Sequence, residues 1–299
     1  MKTLISQRYI YLMVLPGIIW FIIFCYIPMS GILIAFQKFS VTKGIFGGPW
    51  VGFMYFKQFL TSYSFPIVLR NTLVISFLKL LVGFPAPIIL ALILNEVKNP
   101  GFKKSIQTIS YLPHFVSWVV VLGIWYRLMS PEGGLINIVL VSLGVLRTPL
   151  NFMNTSAYMW PIAVLTDIWK SIGWNSIIYL AALSAINPEL YEAARIDGSS
   201  RFQQVRHVTL PGILPTISIL FILAMGGILA SNFDQLFILG TAPVLDVTEV
   251  IDTYIYRIGL QQLNYSLAAA AGLMRAILSL VLVYLTHRFA KALGQEGLW

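Results

Sequence analysis

Long apolar runs alternate along the chain with short polar segments rich in lysine and arginine. A helix that crosses a bilayer needs about 20 predominantly apolar residues. Six segments meet that length: 9–36, 71–94, 108–129, 158–186, 210–230 and 263–289. The pattern predicts an all-α polytopic membrane protein, with residues 1–299 forming a single transmembrane domain of six helices. The segment 9–36 carries no charge and no small-residue cleavage pattern follows it, so it reads as a span and not as a cleaved signal. Pro16-Gly17 and Pro28 interrupt the first segment, Gly83, Pro85 and Pro87 the second, and Gly226-Gly227 the fifth. Membrane helices tolerate such breaks where neighbours or water satisfy the freed backbone groups.

Composition agrees with this reading. Hydrophobic residues make up 58% of the 299 and charged residues 10%, against about 25% charged in soluble domains. The net charge of +9 comes from basic residues dispersed between apolar runs, a membrane-topology pattern that argues against nucleic acid as a partner. With six spans both termini share one side. That side holds Lys2, Arg8, Lys98, Lys103, Lys104, Arg195, Arg201, Arg206, Arg288 and Lys291. The other holds Lys38, Lys43, Lys57, Arg70, Arg127, Arg147 and Arg257. The positive-inside rule then puts both termini in the cytoplasm. It also leaves the acidic run Asp234, Asp246, Glu249 and Asp252 outside, where Asp246, Glu249 and Asp252 read either as a docking surface for a binding protein or as a plain solvated face. Cys25 stands alone, so no disulfide and no cysteine metal site is available.

The loop 187–211 is the most informative polar segment. Asn187 suits an N-cap and Pro188 the first helical position. Glu189 and Glu192 lie near the positive end of the helix dipole, and Gly198 suits the left-handed residue that closes a helix. A short capped helix is predicted here, followed by a second amphipathic stretch over 199–208.

Glu192-Ala193-Ala194, then Gly198 four residues on, then Val208-Thr209-Leu210-Pro211 resembles the EAA motif of ATP-binding-cassette (ABC) importer permeases, with Val208 where that family has isoleucine. The likeness extends to Tyr11-Leu12-Met13-Val14-Leu15-Pro16-Gly17, to the segments 83–92 and 110–115, and to Ser130-Pro131-Glu132-Gly133-Gly134. It covers nearly the whole chain and is strongest to the carbohydrate-uptake, maltose-type branch and its LplB-like members. The resemblance implies that 187–211 is a cytoplasmic coupling loop, with Glu192, Ala193, Ala194, Asp197 and Gly198 contacting an ATPase. It implies a second homologous permease subunit, two ABC ATPase subunits, a solute-binding protein and an oligosaccharide cargo, in the lipid of a bacterial cytoplasmic membrane. ATP and magnesium would be held by the partner ATPases, with no cofactor in this chain. The sequence agrees: it has no Gly-x-x-x-x-Gly-Lys-Ser/Thr loop, no His-Glu-x-x-His zinc motif and no Gly-x-Ser-x-Gly elbow.

Charged residues inside spans usually face a cavity or a partner. Here they are Lys79, Asp167, Lys170 and Arg275. Asp167 and Lys170 stand three apart and share a helix face with Ser171 and Trp174. By the resemblance, these four, with His114, Trp118, Ser231, Asn232 and Gln235, match positions that touch sugar in the maltose-type importer. They are the expected substrate path; if the face lines a wet cavity, Lys170 keeps a donor free for a passing carboxylate, the alternative being a neutral oligosaccharide stacked on Trp118 and Trp174 and bonded by Asn232 and Gln235. Lys79 and Arg275 match no such position and read as helix–helix structure. Of the histidines outside this set, His207 and His287 read as solvated or lipid-facing. The chain is expected to be no enzyme. An intramembrane enzyme using Asp167 and His114 lacks any catalytic constellation, and a self-sufficient secondary transporter leaves the docking loop unexplained.

Overall fold

The computed structural model describes residues 8–229 and 232–292. They are almost wholly helical, and among them only two isolated bridges occur, Gln37 with Trp50 and Ser40 with Gly44. The main helices are α1 (Arg8–Phe21), α2 (Ser64–Leu78), α3 (Pro85–Glu96), α4 (Pro100–Tyr111), α5 (Trp118–Met129), α6 (Ser156–Ser184), α7 (Pro188–Ile196), α8 (Leu210–Gly226), α9 (Phe233–Leu239) and α10 (Tyr265–Ala292). Among the described residues, four continuous helical stretches are long and apolar enough to cross a membrane: Tyr11–Phe36, Ser64–Glu96, Arg201–Gly226 and Tyr265–Arg288. A fifth arises if Pro100–Phe115 and Trp118–Met129, bent 107° apart, are one broken span. The expectation of a plain helix over 108–129 is therefore corrected. At 29 residues α6 is about 44 Å long, but its polar residues keep it out of that apolar set.

The interruptions differ in kind. Pro16 sits inside α1 without ending it. A π turn at Ile22–Tyr26 and a 3-10 stretch at Ile27–Phe36 follow it without a stop in the helical chain. Between α2 and α3 the chain does not stop either. Proline cannot donate to the preceding turn and its ring presses on a carbonyl there. A wide π turn at Lys79–Gly83, closed by Phe84 N–H to the Lys79 carbonyl at 3.1 Å, makes room for Pro85. The third segment does break. A 3-10 turn at Leu112–Phe115 ends its first half, and Ser117 caps the second, its Oγ accepting from Val120 N–H at 3.5 Å.

The chain divides into two compact units, residues 1–65 with 254–274, and 66–253 with 275–299. In the first, Ser266 Oγ donates to the Gln37 carbonyl at 2.8 Å and accepts from Phe39 N–H at 3.1 Å, tying α10 to the extended segment that follows the first span. The exposed residues of α1 are apolar on every side, as expected of a helix solvated by lipid. Two cores stand out among the described residues of the second unit. One gathers Ile75, Leu122, Met159, Ile162, Leu236 and Leu239 from α2, α5, α6 and α9. The other joins α3, α6 and α8 through Ile88, Ala91, Tyr179, Leu183 and Ile213. Helices α4 and α6 meet closely at Gly173, where an added Cβ would run into the backbone of Ser110.

Candidate functional site

The π turn at Lys79–Gly83 and α6 flank a cavity of about 530 Å³ within the second unit. Successive turns of α6 put Asp167, Ser171 and Asn175 on its wall, the spacing of four that keeps residues on one helix face. Lys79 and Asn232 complete the polar side, while Leu80, Phe84 and Ile172 supply apolar surface. The Lys79 ammonium donates to Gln235 Oε1 at 2.7 Å and lies 3.4 Å from Asp167 Oδ1. Asn232 Nδ2 donates to the same carboxylate oxygen at 3.4 Å. Gln235 is fully buried and bound on both ends of its amide, donating to the Ala163 carbonyl at 2.6 Å and to Thr166 Oγ1 at 2.7 Å. Polar groups withdrawn from water need such partners, and this wall presents both signs of charge with a net balance of zero.

Lys170 does not join that cavity. It lies at the break in the third segment, 8% exposed, with Nζ donating to the carbonyls of His114 at 2.6 Å, Val116 at 2.7 Å and Pro113 at 3.3 Å. Its ammonium also stands 5.5 Å from the centre of the buried Trp118 ring. All three ammonium donors are engaged, which corrects the expectation of a donor left free. Three residues turn a helix through about 300°, so Asp167 and Lys170 reach different neighbours despite their shared side. Beside the break, the His114 and Trp174 rings stack at 4.5 Å with 4° between their planes, and Phe115 meets Trp174 edge-on at 5.3 Å.

The expected path residues thus separate into two groups. Asp167, Ser171 and Asn232 line the cavity, whereas His114, Trp118, Lys170 and Trp174 cluster at the break. Gln235 supports the cavity wall from behind, and Ser231 lies outside the described residues. Lys79 is a cavity residue as well as a helix-to-helix link. Its signal in the sequence was its position, the one charge within 71–94, facing a helix with a carboxylate to balance. Arg275 pairs with Asp252.

Part of the acidic run is engaged internally, while Asp234 and Asp246 stay exposed. Glu249 is buried, and Asp252 pairs with Arg275. Asp246 accepts from Ser156 Oγ at 3.1 Å. The Asp246 carbonyl takes hydrogen bonds from Arg70 at 2.9 Å and Asn71 at 3.0 Å, and the Glu249 carbonyl one from Asn71 at 2.9 Å. The expected acidic surface is therefore divided: Glu249 and Asp252 are structural contacts, and Asp234 and Asp246 remain exposed. His287 is likewise 3% exposed and not solvated, while His207 stays exposed with Nδ1 3.0 Å from the Gln203 carbonyl.

In the 187–211 segment, Asn187 caps α7 by accepting from Glu189 N–H at 3.1 Å, with Pro188 in the first turn. Gly198 closes the helix at φ +77°, and Ser199 N–H reaches back to the Ala194 carbonyl at 2.9 Å. Ser200 and Gln203 form a capping box for the next turn. Tyr191 and Thr209 hydroxyls meet at 3.1 Å and hold α7 to the start of α8. Glu192, Ala193 and Asp197 face solvent and Ala194 is half-buried.

The family described as binding-protein-dependent transport system inner membrane component matches residues 83–296. The chain is 45% identical over 296 residues to the polygalacturonan/rhamnogalacturonan transport system permease protein YteP of Bacillus subtilis, covering 99% of this chain and 92% of that one. It is 40% identical to Protein LplB of the same organism, covering 100% and 93%. Among solved structures, it matches a chain of a bacterial ABC transporter that imports the acidic polysaccharide alginate, with a TM-score of 0.90 and 40% identity over 97% and 98% of the two chains. The alginate transporter in complex with an alginate pentasaccharide-bound periplasmic protein gives 0.91 and 39% over 99% of both.

Proposed function

The chain belongs to the binding-protein-dependent transport system inner membrane components, and from that premise we propose that it is the oligosaccharide-translocating permease subunit of an ABC importer. The observation that carries this reading is the full-length likeness to a chain of the alginate importer, at an identity well above the level where fold alone is shared. The relatives' names support a carbohydrate cargo. In this reading α6 and the bent third segment complete six spans, and both termini face the cytoplasm. A second, homologous permease completes the membrane pore. Two ATPase subunits hold ATP and magnesium, and a solute-binding protein delivers the cargo from outside.

The chemistry of the chain suits that role. Its cavity offers a carboxylate, an ammonium, amides and a hydroxyl beside apolar surface, a lining that hydrogen-bonds sugar hydroxyls and packs against apolar sugar faces. Asp167, Ser171 and Asn232, with Lys79, form the proposed cargo contacts. His114, Trp118 and Trp174, gathered at the break in the third segment, are the proposed aromatic members of the path. A cargo carboxylate would meet Lys79, because the donors of Lys170 are engaged. The capped helix α7 is the proposed coupling helix: Glu192, Ala193, Ala194, Asp197 and Gly198 form a compact lever that moves with the ATPase. ATP binding would open the bundle outward and hydrolysis would return it inward, which is alternating access. The permease contributes a path and a lever, and no covalent step.

The test is reconstitution of the chain with its partner permease, ATPases and solute-binding protein in vesicles. Uptake of a labelled uronate or neutral oligosaccharide that needs both ATP and the loaded binding protein is the expected outcome. Cargo entry without ATP would sink the reading.

A further inference from the structure

The break in the third segment poses a problem that the transport reading does not address. A helix that ends leaves carbonyls without continuing partners, and inside a membrane no water relieves them. Here the chain turns through 107° between its two halves. Three carbonyls at the turn, those of Pro113, His114 and Val116, point at one spot. Val116 N–H also reaches the Pro113 carbonyl, at 3.2 Å, so the turn is folded inward around that spot. Unwound carbonyls and helix C-terminal ends of this kind coordinate small monovalent cations in ion-coupled transporters.

In this chain the spot is filled by the Lys170 ammonium, whose three donors match three carbonyl acceptors. The Trp118 face, 5.5 Å away, adds attraction for positive charge. The nearby carboxylate of Asp167 is directed instead to Lys79 and Asn232. The site is thus built of neutral dipoles and one aromatic face, and it selects a compact cation.

We propose that the carbonyl cage at residues 113–116 is a monovalent-cation site whose resident cation is the tethered Lys170 ammonium. Emptying it makes the importer depend on a small cation from solution, which the native chain does not need. The inference is independent of which cargo is carried.

The experiment compares the wild-type importer with Lys170→Ala in vesicles and in detergent. Chloride salts of methylammonium, potassium and tetramethylammonium are used at equal ionic strength. In tetramethylammonium, which is too bulky for the cage and has no N–H, the variant is expected to lose about tenfold in uptake. Tenfold is about 1.4 kcal/mol, a lower bound for the loss of three charge-assisted contacts together. Methylammonium should restore uptake and the thermal midpoint saturably in the variant and leave the wild type unchanged. Restoration by potassium as well would show that the carbonyls accept a bare ion, and would support the site equally. No recovery with either cation, or the same recovery in tetramethylammonium, overturns the proposal. If Lys170→Ala does not assemble, Lys170→Met and Lys170→Arg decide. An impaired Met variant beside a near-normal Arg variant supports a cation site. A Met variant equal to wild type, or two equally impaired variants, overturns it.

Discussion

Lys79 Nζ lies 3.4 Å from Asp167 Oδ1, joining the π turn after α2 to the middle of α6 on the wall of the cavity. Neither side chain is more than about a quarter exposed. Removing one partner of such a pair leaves an uncompensated charge, at a cost of about 3–5 kcal/mol when burial is complete. Partial exposure reduces that here. Lys79→Met is expected to lower the thermal midpoint and uptake together. Combining it with Asp167→Asn should recover much of the midpoint and little of the uptake, because the cavity still lacks its charges. Thermal unfolding and uptake of the single and double variants form the cycle that reads this coupling. Additive losses would show that the two residues act separately.

Gly198 closes α7 at φ +77°, a conformation that costs an L-residue about 1–2 kcal/mol and a β-branched one more. Open space surrounds its Cα, so a valine there strains the backbone without a clash. Gly198→Val should insert and assemble normally yet lose most binding-protein-stimulated ATPase activity, while Gly198→Asn keeps more of it. Wild-type stimulation in the valine variant contradicts the coupling role of this turn.

The burial of Glu249 and the pairing of Asp252 with Arg275 change what removal of the acidic run should do. Replacing Asp246, Glu249 and Asp252 together with Asn or Gln takes away the partner of Arg275 and should reduce stability. Their removal should change the salt dependence of uptake at subsaturating binding protein little, because salt screens exposed charges and of the three only Asp246 is exposed. A flattened salt profile in the triple variant would restore a docking role for this segment.

Gly173 has no room for a side chain, because the Ser110 backbone of α4 occupies the place of its Cβ. Backbone yields less readily than a flexible side chain, and overpacking costs about 1–3 kcal/mol. Gly173→Ala should therefore lower the thermal midpoint of the purified complex more than Gly123→Ala, whose site is open. Equal midpoints would show that α4 and α6 can separate without penalty.

The sequence by itself determined the class of this protein. Apolar runs of membrane length, dispersed basic residues and the cap chemistry of 187–198 are local properties, written in consecutive residues. The helix α7 accordingly appears with Asn187 and Gly198 at its ends. The partners of charges inside the apolar segments were a different matter. Asp167 and Lys170 sit three apart, and nothing in that spacing tells that one turns to Lys79, 88 positions earlier, and the other to carbonyls at 113–116. Nor does hydropathy reveal that the third segment breaks, since its two halves taken together are apolar enough to read as one. A π turn absorbs Pro85, whereas Pro113 precedes a sharp bend. Which outcome follows depends on whether a neighbour can satisfy the freed carbonyls, and only the tertiary structure brought the Lys170 ammonium to them.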